Sequence, residues 1–168
     1  MDWAKGLVTA DGQSLADRHA PSPAVARGTA RRPAEDAAKA KLRTELLALP
    51  VAQGGKVDDK VAEAALASAF VVAAEPETDG SWRVTMAVPI EAVRQALAGV
   101  RALPEAGDTG PAVAIVDGMP GKPAVGALAA ATIWTEAIPA FAKDAPHVHW
   151  AAGMPVNPAT LYVVRAGK

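Results

Sequence analysis

The chain contains no cysteine among its 168 residues. That excludes disulfides, thiolate nucleophiles, thiolate metal centres and any lipid joined to a cysteine within it. Aromatics are scarce, with two Phe, one Tyr and four Trp. Trp3, Trp82, Trp134 and Trp150 are scattered along a chain without a basic field, so no stacking platform for single-stranded nucleic acid is expected. Charge of one sign is also lacking: 17 Lys and Arg face 18 Asp and Glu, which leaves no broad basic field for a phosphate backbone and no polybasic run for anionic lipid. No apolar run approaches membrane-spanning length, and Met1-Asp2-Trp3-Ala4-Lys5 has no charged-then-apolar signal pattern. The expectation is a soluble chain with no transmembrane segment, no nucleic-acid partner and no cofactor.

Hydrophobic residues make up 51% of the chain, but much of that is alanine, so the core is expected to be modest for the length. The most informative stretch runs from Phe70 to Leu103. Trp82, Val84, Met86 and Val88 alternate with Arg83, Thr85 and Ala87, the period of a strand with one buried face. Asp79-Gly80 supplies the turn before it. Ile90, Val93, Leu97 and Val100 then recur at helical spacing, so the segment leaves the sheet and packs back on it.

Upstream, Leu7-Val8-Thr9 with Asp11-Gly12 reads as a strand or bent strand. Ser22 suits an N-cap and Pro23 a first helical residue, whose missing N–H would be unpaired there anyway. The alanine-rich helix that follows ends near Leu49-Pro50 with Leu42, Leu46 and Leu49 on one face. Pro33 interrupts it at a cost of about 3 kcal/mol in a helix interior, and a kink is expected there in preference to a second start. Its charged residues Arg27, Arg31, Arg32, Lys39, Lys41 and Arg43, mixed with Glu35, Asp36 and Glu45, read as a solvated face. Gln53-Gly54-Gly55 breaks the chain, and residues 58–69 read as a short helix with Val61, Ala65 and Leu66 inward. Residues 106–111 are the candidate linker. Beyond it, residues 112–116, 131–137, 147–150 and 160–165 read as strands, with one helical turn within 139–145. The fold class is α+β: a small antiparallel sheet covered by helices on one face over residues 1–105, then a mostly β part over 111–168, packed against the first or separate from it.

The segments ADRHAPSPAVARGTARRPAEDAAKAKLRTELLALP and FVVAAEPETDGSWRVTMAVPIEAVRQAL, with Asp117, Gly121 and Lys122-Pro123-Ala124 after the strand of PAVAIVDGMPGKPAVG, carry a resemblance. In this order the chain resembles the LPP-type small bacterial envelope lipoproteins and the related N-terminal region of the flagellar assembly protein FlgT. The resemblance implies a non-enzymatic structural or assembly protein of the periplasm or outer membrane, acting through contacts with other protein. The chain departs from that pattern in having no lipobox cysteine and in carrying Pro33 within the long helix.

His147-Val148-His149 is the sharpest chemical constellation. Residues i and i+2 of a strand point to one side, and two imidazoles there could chelate a divalent metal. A third ligand would have to come from His19, Asp144 or a distant carboxylate, so exposed or hydrogen-bonded histidines on an edge strand are the expected state. Gly118-Met119-Pro120-Gly121-Lys122-Pro123 lacks the spacing of a phosphate loop, and Pro123 removes a backbone donor; it reads as a surface turn. None of Ser14, Ser22, Ser68 and Ser81 lies in Gly-x-Ser-x-Gly. Glu75 and Glu77 flank Pro76 at a solvated strand end. The leading expectation is therefore a protein partner or a homo-oligomer, engaged through an apolar strand edge at Leu161, Tyr162, Val163 and Val164. Two alternatives stay open: a metal-binding protein or metal-dependent enzyme using His147 and His149, and a periplasmic small-ligand binder using a cleft between the two parts.

Overall fold

The computed structural model describes residues 1–99 and 110–165. The fold is mixed α+β with two sheets. The first is antiparallel, in the order β1 (Leu7–Ser14), β3 (Trp82–Pro89), β2 (Phe70–Pro76). Its inner face carries Val8, Val84, Met86 and Val88, the alternation read from the sequence, and helix α1 (Pro23–Leu47) lies across it with Ala34, Ala38, Leu42 and Leu46 buried. Ser22 caps α1, its hydroxyl accepting from the Val25 N–H. The helix continues unbroken through Pro33, so the segment does not start afresh there. Small alanines on the buried stripe let α1 approach β1 closely at Gly12.

Helix α2 (Asp59–Leu66) is capped by Asp58 and buries Ala62 and Ala65, while Val61 and Leu66 are half-buried at its margin. Helix α3 (Ile90–Ala98) follows β3 directly, buries Ile90 and Val93, and stops at Gly99, whose φ of 66° ends the helix in the left-handed region that glycine tolerates. Val100, Leu103 and most of the candidate linker, residues 106–109, lie outside the described residues.

The second part is β-rich, as its apolar runs imply, and its sheet is parallel where the first is antiparallel: β4 (Val113–Asp117), β5 (Thr132–Thr135), β6 (His147–His149) and β7 (Leu161–Arg165) pair in the order β5-β7-β4-β6. Parallel neighbours need long crossovers. Here segments 118–131, 136–146 and 150–160 fill that role, with only a 3-10 turn at Ala140–Ala142 as regular structure in the second. These crossovers also replace helices as cover. Met119, Leu128, Ala130, Trp150, Met154 and Val156 pack on one face with Val116, Trp134, Tyr162 and Val164; Ile138, Ala142 and Ala145 pack on the other with Ile115, Ile133 and Val163. Burial on both faces explains why the two central strands, β4 and β7, are apolar runs without alternation.

The two sheets are joined by backbone. Trp134 N–H donates to the Trp3 carbonyl at 3.1 Å, Ala52 N–H to Val125 at 2.9 Å, and Val125 N–H to Pro50 at 2.9 Å. Trp3 packs against both apolar clusters.

Candidate functional site

Parallel pairing brings the polar residues of the second sheet to one corner. Asp117 and Arg165 end β4 and β7, and Thr135 and His149 stand beside them at the ends of β5 and β6. His147 lies one pleat back, opposite Ile115, on the same face. It reaches diagonally to Asp117, with Nδ1 at 2.7 Å from Oδ2, and Arg165 donates from Nη1 to the other carboxylate oxygen at 3.2 Å. The side chains are part-exposed, about half for His147 and Arg165 and a third for Asp117. The His147 hydrogen bond, followed by the charges of His147 and Arg165, holds the Asp117 carboxyl below its ordinary range. His149 lies against Gly118, where a side chain would press on the imidazole ring.

The histidines thus sit on an edge strand as the spacing implied, but with a partner that the sequence reading missed. Asp117 had been noticed only for its place in a loop pattern. Thirty positions separate it from His147, and the signal that joins them is strand register, which no local period carries. His19 and Asp144 do not join the pair: among the described residues, no three His, Asp or Glu side chains converge for a metal.

The apolar edge expected at Leu161, Tyr162, Val163 and Val164 is corrected by the structure. β7 is the last strand in the chain but lies between β5 and β4, hydrogen-bonded on both sides. Tyr162, Val163 and Val164 are buried and Leu161 is half-buried. The Tyr162 hydroxyl accepts from the Asn157 N–H at 2.9 Å, binding the preceding loop to the strand. No surface for a partner is available there, because both backbone edges and both faces of the strand are already occupied.

Among the described residues the edges lie at β1, β2, β5 and β6, and those of β1, β5 and β6 are engaged or short. On β1, Lys41 Nζ donates to the Asp11 carbonyl at 2.8 Å. The outer side of β5 is engaged by the Trp3 carbonyl, and β6 is only three residues long. β2 is different. It pairs with β3 alone, and Phe70, Val71 and Val72 are 44%, 38% and 53% exposed. Val72 is the extra residue of a bulge, where the register steps from Val71 to Ala73. Sequence reading assigned a buried face only to the second strand of this hairpin, at Trp82, Val84, Met86 and Val88, and left Phe70, Val71 and Val72 unassigned.

The remaining sequence candidates have structural roles. Ser81 donates to Asp79 within the β2–β3 turn, and Glu77 pairs with Arg83 on the sheet surface. The junction between the sheets, lined by Trp3, Ile90, Glu91, Arg94, Val125 and Thr132 among others, encloses about 10 Å³, room for one water at most. Arg94 is spent there on Glu91 through two hydrogen bonds. Among the described residues, that cavity is too small to hold more than a water.

No helix among the described residues is long and apolar enough to cross a membrane. No protein-family model matches the chain, and no curated protein matches it.

Proposed function

We propose that this is a non-catalytic assembly protein that works by strand addition at β2, and that the occupant of the open edge is β2 of a second copy. The observation that supports this reading is an exposed apolar run on an edge strand. Edge strands are ordinarily blunted by charge, proline, bulges, brevity or cover; β2 carries Glu75, Pro76 and the bulge at Val72, but among the described residues nothing covers Phe70-Val71-Val72, which stay 44%, 38% and 53% exposed. Glu75 is the sole charged residue on β2. In a two-fold antiparallel pairing centred on Ala73, Glu75 faces Val71 of the other copy, so like charges do not meet and the apolar run is covered. A structural role in the cell envelope, in the periplasm or at the outer membrane, is part of the proposal and rests on the resemblance to the small envelope lipoproteins.

Light scattering across a concentration series tests it. The wild-type protein should pass from monomer to dimer, with the amides of β2 gaining protection from hydrogen exchange in step. The Phe70→Lys, Val72→Lys double variant should stay monomeric with an unchanged denaturation midpoint. A wild-type monomer at millimolar concentration overturns self-pairing. A dimer that survives the double variant overturns the choice of edge.

A further inference from the structure

We propose that His147 and His149 form an open, two-imidazole site for a divalent transition-metal ion, with Asp117 as the carboxylate that orients His147. This is independent of association through β2, which lies in the other sheet.

Four features of the corner carry it. Both histidines project from the same face of β6, two residues apart, the spacing at which a strand presents a pair of ligands. The Nδ1 of His147 is engaged by Asp117 at 2.7 Å, which leaves Nε2 directed away from the carboxylate; a ligating histidine ordinarily makes this contact through its other nitrogen. Arg165 holds the second oxygen of Asp117 at 3.2 Å, and this keeps the carboxylate beside His147 as its orienter and leaves the two imidazoles as the ligands. Gly118, with a φ of 77°, has no side chain where one would press on His149, so the His149 ring can lie over the end of β4, the strand that carries Asp117.

The same features set the strength and the choice of metal. Two neutral nitrogen ligands, with Asp117 already balanced by Arg165, give a weak site whose remaining positions are taken by water. Imidazole suits copper, nickel and zinc, and the usual order of divalent affinities puts copper(II) first. Calcium and magnesium prefer oxygen ligands and should not bind.

Isothermal titration with copper(II) and zinc, supported by the copper electron paramagnetic resonance spectrum, tests the site on the full chain. One equivalent of copper should bind at micromolar strength with nitrogen hyperfine structure, and zinc more weakly. His147→Ala and His149→Ala should each weaken copper by at least tenfold. Asp117→Asn should weaken it about 10- to 100-fold, the range for loss of an orienting partner, while the spectrum keeps its nitrogen ligands. His19→Ala should change nothing. Copper binding that persists in the His147→Ala, His149→Ala double variant, or no binding at millimolar copper, overturns the proposal, and far-ultraviolet circular dichroism of each variant separates loss of the site from loss of the fold.

Discussion

Gly12 of β1 lies against the backbone of Ala38 in α1, so close that a Cβ at position 12 would overlap the Ala38 amide and the Ala34 carbonyl. Strand and helix meet there through main chain, with the alanine methyls and the missing glycine side chain setting the distance between the layers.

Gly12→Ala is accordingly expected to force the helix off the sheet and to cost about 3 kcal/mol or more, the upper end for overpacking because the obstacle is backbone. Gly28→Ala serves as the control: that helical position is open space, and removing a helix-interior glycine should stabilise by roughly 0.5–1 kcal/mol. Urea denaturation of the two variants checks both signs.

Trp82 is half-buried at the edge of the core. Its Nε1 donates to the Arg27 carbonyl at 2.8 Å and its ring lies 5.5 Å from the Arg31 guanidinium. Trp82→Ala should therefore cost about 2 kcal/mol, below the 3–5 kcal/mol of a fully buried tryptophan. Leu42→Ala, at a fully buried site, should cost more than Trp82→Ala, about 2–5 kcal/mol. Reversal of that order in chemical denaturation would show that the hairpin end, and not α1, anchors the first sheet.

Val163→Pro removes a ladder hydrogen bond from a central strand. Because β7 is paired on both sides, the expected outcome is loss of the whole parallel sheet, seen as exchange of the amides of β4 and β5 together with those of β7. Exchange confined to residues 161–165 would contradict the central placement.

Asp79 gives a dependence on acid. The Ser81 hydroxyl at 2.7 Å, and then its N–H at 2.9 Å, donate to the carboxylate and hold its pKa below the ordinary 3.8. A carboxyl with a lowered folded pKa adds stability above its unfolded value and loses it as the pH falls through the folded one. The difference in denaturation midpoint between wild type and Asp79→Ala should be constant at neutral pH and close during acid titration. A difference that does not move with acid would mean that the turn gains nothing from the ionised form.

Local elements were legible in the sequence because their causes are local. The two-residue alternation from Trp82 to Val88, the helical recurrence of Leu42 and Leu46, the cap at Ser22 and the turn at Asp79-Gly80 all depend on residues within a few positions of one another. The exposure of Phe70-Val71-Val72 was not legible, because an apolar run reports strand formation and says nothing of whether a neighbour covers it. Strand order and direction were decided only by the tertiary structure. A short apolar strand such as residues 161–165 serves equally at an antiparallel edge or in the middle of a parallel sheet, and the choice is made by cover on both faces from segments far along the chain. The same long-range pairing put Asp117 beside His147 and Arg165. Composition alone excluded thiolate chemistry, and register determined that the carboxylate of Asp117 meets the imidazole of His147.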